Sequence, residues 1–106
     1  MLSNILNNIN EGVIVAEESE IMTIINFTAK LIFSVTSEQI IGWKVSDLLK
    51  DNDNLLELYY KVLKGEGKQQ LLNTKLIVKD EEILNVNFNC MTSVQGYTII
   101  LIQPIK

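Results

Sequence analysis

The sequence contains no arginine and no histidine, and only one cysteine and one proline. Each absence removes a class of chemistry. Without Arg there are no bidentate guanidinium forks for phosphates or guanine edges, and the nine basic residues, all Lys, form no basic stripe. The formal net charge is -4, so nucleic acid would meet no electrostatic footprint. Without His there is no imidazole to act as general base, zinc ligand or haem axial ligand, which closes off triads and the commonest metal sites. Cys90 has no partner for an intrachain disulfide, as suits a reducing compartment. No apolar run approaches the roughly 18 to 20 residues that span a bilayer, and Met1 to Asn10 carries no basic residue, unlike the start of a signal peptide. The expectation is a cytoplasmic chain with no metal, no nucleic-acid partner and no membrane contact through this segment.

What is present is a core. The 106 residues are 47% hydrophobic and 21% charged, with a mean hydropathy of +0.19, which fits one globular domain over residues 1–106 and excludes a disordered tail. Leu2, Ile5, Leu6 and Ile9 repeat at helical spacing and predict a short amphipathic helix over residues 1–10. Two turns of helix do not stand alone, so this stripe must rest on the domain's own sheet or on a second copy of itself. Val13 to Ala16 and Ile21 to Ile25 read as a hairpin, with Glu17, Glu18, Ser19 and Glu20 as a solvated turn. Asn26 is placed to cap a helix over Phe27 to Ser34. Thr36 and Gln39 fit a capping box ahead of a short helix stopped by Gly42, and Val45 to Lys50 forms another brief turn. Asp51 or Asp53 is then expected to cap a longer helix through Lys64, which Gly65 and Gly67 stop.

Beyond Gln69 the pattern turns to strands, over Leu71 to Val78, Ile83 to Val94 and Tyr97 to Ile102. In the second of these, Leu84, Val86, Phe88 and Cys90 alternate with Asn85, Asn87 and Asn89, giving one apolar and one polar face. The unbroken apolar run of the third fits a central strand, and Pro104 ends the sheet. Two strands, several short helices and three strands in hairpin connection define an α+β domain: a five-stranded antiparallel sheet with helices over one face, its core over residues 12–103.

Several stretches, in this order, resemble the PAS domain, the small sensory module of bacterial signalling proteins. They are Glu11-Gly12-Val13-Ile14-Val15, Asn26 opening a helix with Phe27-Thr28-Ala29, Ser37-Glu38-Gln39-Ile40-Ile41-Gly42, and Val45-Ser46-Asp47-Leu48-Leu49. The resemblance runs from Ile5 to Gln103 and implies a sheet ordered 2-1-5-4-3 with a small cavity between its inner face and the helices. It also implies a role in a histidine kinase or transcriptional regulator, homodimerisation, and an output domain in the same or a partner chain. Three departures from the family pattern matter. Ala16 and Ser19 stand where members often carry Asp and Gly, and Glu81 replaces the Gly of a Lys-Asp-Gly turn, so both turns need other geometry. The usual Asp-Ile-Thr ending is replaced by Gln103-Pro104-Ile105-Lys106, so either the module is cut from a longer protein or its signal leaves by another path.

The resemblance also bears on cofactors. Haem b ligated through His is excluded by composition. Val45 stands where the light-sensing branch carries its flavin-binding Cys, so no cysteinyl adduct forms. Asn85 and Gln103 match two flavin contacts of that branch, but a third falls at Leu76, so non-covalent flavin is not expected and the purified protein should be colourless.

Helices closed over the inner face would make Phe33, Trp43, Leu48, Tyr59, Val62, Leu76, Phe88 and Ile100 border the cavity, with Asn26 or Tyr59 as the polar contact for a small, largely apolar ligand. Trp43 either stacks on a ligand or plugs the core edge, and the Asn85, Asn87, Asn89 row either bonds a partner or is solvated. Cys90, on an apolar face, reads as an inert small hydrophobe. No catalytic residue is expected, because Asp47, Asp51, Asp53 and Glu57 all read as caps or exposed positions. Three functions are thus compared: a ligand-sensing module, a ligand-free dimerisation module pairing through Leu2, Ile5, Leu6 and Ile9, and a small enzyme dependent on a buried carboxylate.

Overall fold

β-Branched runs and period-two alternation become strands, as the sequence predicts, and the polar clusters between them become turns. The computed structural model describes residues 10–105; the expected N-terminal helix, with Leu2, Ile5, Leu6 and Ile9, lies outside the described residues. Strand β1 (Gly12–Ala16) and β2 (Met22–Ile25) form the first hairpin. Helices α1 (Phe27–Phe33), α2 (Val45–Leu48) and α3 (Asp53–Leu63) follow, then β3 (Gln69–Ile77), β4 (Ile83–Thr92) and β5 (Thr98–Pro104). All pairings are antiparallel and the order is β2-β1-β5-β4-β3. β5 is the central strand, with Ile100 opposite both Ile14 and Cys90.

The inner face of the sheet is Ile14, Ile100, Ile102, Val86, Phe88 and Cys90, none more than 1% exposed. Leu55, Tyr59 and Val62 of α3 pack into the same core. Burial of each large apolar side chain contributes about 1.5–3 kcal/mol, so this layer holds α3 to the sheet. The outer face is only partly covered, with Ile99 and Leu101 of β5 half-buried. Gly12 marks the closest approach of β1 to α1: a Cβ there would lie 3.1–3.2 Å from Ile32 and Ala29.

Four sequence expectations change. The Thr36 capping box forms, with Thr36 N–H donating to Gln39 Oε1 at 2.9 Å and Gln39 N–H to Thr36 Oγ1 at 3.3 Å, but the segment is a turn and no helix follows it. The α3 cap is neither Asp51 nor Asp53; Asn52 holds that position and turns its side chain to β3. β4 stops at Thr92 because Ser93 to Gly96 turn back, with Gly96 N–H donating to the Ser93 carbonyl at 3.0 Å. Glu20 is not a solvated turn residue, since its Oε1 is buried.

The two turns that lack the family's glycines use glutamates in left-handed conformation, Glu20 at φ 74° and Glu81 at φ 61°. That region costs an L-residue roughly 1–2 kcal/mol and glycine almost nothing. Glu81→Gly is therefore expected to stabilise the domain by about 0.5–1 kcal/mol after glycine's greater unfolded-state entropy is counted. The check is the urea midpoint, and an unchanged or lower value would contradict it.

Candidate functional site

Where α1 ends, the 35–43 turn begins and the β3–β4 connection comes up beside α2, the helices do not close on the sheet. The result is an open cleft of about 960 Å³. Its apolar lining is Phe33, Val35, Trp43, Leu48, Ile77, Val78 and Ile83; its polar lining is Gln39, Asp47, Lys50, Asp51, Lys79 and Glu81. Phe33, Val78 and Leu48 are buried, Trp43 is half-buried against the core, and the charged residues are exposed. The cleft thus has an apolar floor and a charged rim.

Backbone bonds fix the Trp43 corner. The Trp43 carbonyl accepts from Met22 N–H at 3.2 Å, and Val45 N–H donates to the Glu20 carbonyl at 3.0 Å, so the first hairpin is stitched to the start of α2. Asp47 Oδ2 accepts from Lys44 N–H at 2.9 Å and closes the first turn of α2. On the opposite wall, Asn52 Oδ1 accepts from Ile77 N–H at 2.7 Å and its Nδ2 donates to the Ile77 carbonyl at 2.9 Å. That amide pair ties the start of α3 to the end of β3.

Of the nine cavity residues expected from sequence, the structure brings Phe33, Trp43 and Leu48 to the cleft. Tyr59, Val62, Leu76, Phe88 and Ile100 are buried in the core, where α3 packs on the inner face of the sheet, and do not line this cleft. Asn26 is spent on the backbone: Oδ1 accepts from Val13 N–H and Ala29 N–H, both at 2.9 Å, and Nδ2 donates to the Glu11 carbonyl at 3.0 Å. It is the helix cap expected, and it also joins α1 to β1. Sequence reading missed the charged rim, Gln39 to Glu81, since polar residues in turns carry no signal of where the turns meet.

Asn85 and Gln103 lie on the outer face, away from the helices, whereas Leu76 is buried. Asn87 Oδ1 accepts from Asn73 N–H at 2.9 Å and holds the irregularity in β3 between Leu71 and Thr74. Among the described residues, no group of three His, Cys, Asp or Glu side chains could hold a metal ion, and no helix is long and apolar enough to cross a membrane.

Cys90 is fully buried, and burial pushes its thiol from the ordinary 9.0 up to about 12. A thiol that keeps its proton at neutral pH is not a nucleophile. Burial, followed by the Glu20 carboxylate, Cys90 and Tyr60, also raises the Tyr59 hydroxyl above its ordinary 10.0. In the unfolded chain both groups ionise at lower pH than in the fold, so rising pH favours unfolding. The Cys90 contribution is intact below pH 9 and is lost as pH climbs toward about 12. The urea midpoint is therefore expected to fall across that window, less steeply in Cys90→Ala; a flat midpoint would contradict the burial of both groups.

The model of the PAS fold matches residues 1–105. The chain belongs to the PAS family. Solved structures agree with it in fold. The PAS domain of nitrogen regulation protein NR(II) from Vibrio parahaemolyticus superposes with a TM-score of 0.74 at 20% identity, covering 99% of this chain and 98% of that one. A PAS domain from Colwellia psychrerythraea gives 0.75 at 14%, covering 98% and 93%. The photoactive yellow protein domain of the sensor histidine kinase Ppr from Rhodospirillum centenum gives 0.78 at 11%, covering 92% and 94%. No curated protein matches the chain. As a PAS domain the chain is a signalling module by family; the inner face of its sheet carries buried side chains, and a cleft opens at the edge beside Trp43.

Proposed function

We propose that this PAS domain is the sensory module of a histidine kinase or transcriptional regulator and that it senses a small molecule in the cleft beside Trp43. The observation that carries the reading is the cleft itself, an apolar floor open to solvent at a charged rim. Such a lining suits a ligand with an apolar body and a polar end: the body would lie on Phe33, Leu48 and Trp43, where an indole can stack on a planar group, and the polar end would stay at the rim. The ligand is thus more amphipathic than the largely apolar one expected from sequence. The domain would transmit and not catalyse, with no haem and no covalent flavin.

Native mass spectrometry of freshly purified protein tests this. The expected result is a small molecule bound one per chain, or taken up from a set of aromatic acids and alcohols at millimolar concentration, and lost in Leu48→Arg. A bare chain that takes up none of them would contradict the reading.

A second reading, pairing of two chains through Leu2, Ile5, Leu6 and Ile9, is favoured by the half-buried apolar residues Val15, Ile99 and Leu101 on the outer face of the central strands. Burying four aliphatic side chains per subunit is worth on the order of 6–10 kcal/mol before association costs. Leu6→Asp should then yield monomers by sedimentation at tens of micromolar, where the parent is dimeric. A monomeric parent, or an unaltered variant, would remove this reading.

A further inference from the structure

An edge strand presents backbone groups that another strand can pair with, and this sheet has two edges, β2 and β3. The β2 edge is partly covered: Met22 N–H donates to the Trp43 carbonyl at 3.2 Å, and Ile21 bridges Lys44. β3 is longer, nine residues, and is closed at its end. There Asn52 takes both the N–H and the carbonyl of Ile77, as a pairing strand would, so those groups point away from β4. Direction alternates along an antiparallel strand, so Lys75 points its N–H and carbonyl the same way. On the far side of the irregularity, β4 sets the direction. Asn85 gives its carbonyl to Ile105 N–H on the β5 side, so Phe88 and Cys90 turn to β3; Leu71 and Gln69 meet them, and Gln70 faces outward. Among the described residues, neither Gln70 nor Lys75 has a backbone partner on that side. Leu72, between them, is 64% exposed.

The charge along this edge has one sign. From Gly67 to Lys79 there is no Asp or Glu, only Lys68, Lys75 and Lys79, in a chain of net charge -4. Asn52 meets Ile77 and Asn54 Nδ2 donates to Thr74 Oγ1, so α3 runs antiparallel to β3 with its Asn54 side against the strand. Lys61 is on that same side two turns on, about 10 Å further, beside the first half of β3. Glu57 lies 4.0 Å from Lys61 and Glu66 precedes the strand, two carboxylates against Lys61, Lys64, Lys68 and Lys75.

We propose that the open stretch of β3, Gln69 to Lys75, docks an extended acidic segment of a partner protein by strand addition. Backbone bonds at Gln70 and Lys75 hold the segment, Leu72 meets an apolar side chain, and the lysines select carboxylates. Lysine on a sheet edge deters a second copy of the same strand, because pairing brings like charges together; it does not deter an acidic strand.

The test is amide NMR of the full chain at low ionic strength, titrated with the synthetic peptide acetyl-Glu-Thr-Glu-Val-Glu-Thr-Glu-amide and, separately, with the same peptide carrying Lys in place of Glu. The expected result is saturable shifts at Gln70, Leu72 and Lys75 with the acidic peptide, slowed amide exchange at Gln70 and Lys75, and no response to the basic one. Affinity should fall about tenfold in the double variant Lys68→Glu, Lys75→Glu, with the Ile14 and Ile100 amides unmoved. No shift with the acidic peptide, equal binding of the basic one, or an unaltered double variant overturns the proposal. Shifts on β3 that grow with chain concentration alone also overturn it, since the edge would then pair with a second copy. The readouts lie on β3 away from Trp43 and Leu48, so the outcome is separable from binding in the cleft.

Discussion

Asn26→Ala is expected to destabilise the domain by about 3–4 kcal/mol, because it strips three backbone groups of their partners, two of them in buried bonds. Asn26 is only 4% exposed, and its amide holds Val13 N–H, Ala29 N–H and the Glu11 carbonyl at once. An ordinary helix cap lost to alanine costs about 1 kcal/mol; the excess comes from the two bonds to the β1 segment. Asn26→Asp keeps the accepting oxygen but loses the donor to Glu11, so it should fall between wild type and alanine. Urea unfolding of the three proteins measures this, and an alanine variant within about 1 kcal/mol of wild type would mean that Asn26 is a helix cap and nothing more.

The second large effect is at Asn52. Its amide bonds both backbone groups of Ile77 across 25 positions of sequence, at 3% exposure. Asn52→Ala is expected to cost about 2–3 kcal/mol from two orphaned groups and the cavity beside them. Ile77 lines the cleft, so the loss should also loosen that wall. Amide exchange should quicken at Ile77 and Val78 while Ile14 and Ile100 stay protected until global unfolding. Equal loss of protection everywhere would show that the bond supports the whole core and not the cleft wall.

These two asparagines show where sequence reading reaches and where it stops. Asn26 stands directly before an apolar helical run, a local pattern that names a cap. Asn52 looks like one more polar residue between two aspartates, because its partner is set by tertiary packing and leaves no local trace. The strands were legible because a sheet with one buried face imposes a period of two, plain in Leu84 to Cys90. The strand order came from the family resemblance, since hairpin pattern alone does not say which edges meet. Glu20 was read as solvated because it follows Glu17, Glu18 and Ser19, and no pattern in sequence announces a glutamate in left-handed conformation. The cleft was legible only at three residues. Phe33 and Leu48 end their helices and Trp43 lies in the turn between them, where gaps occur, whereas Tyr59 and Phe88 share the same apolar character but are buried in the core between α3 and the sheet.

The central claim, that this PAS domain binds its ligand in the edge cleft, is tested most directly by amide chemical shifts during a fragment screen of apolar-bodied acids and alcohols. The predicted result is saturable shifts clustered at Phe33, Trp43, Leu48 and Ile77 to Ile83, with the outer-face residues Asn87, Asn89 and Leu101 unmoved. Fragments that bind only at the outer face, or none that binds at all, would contradict it.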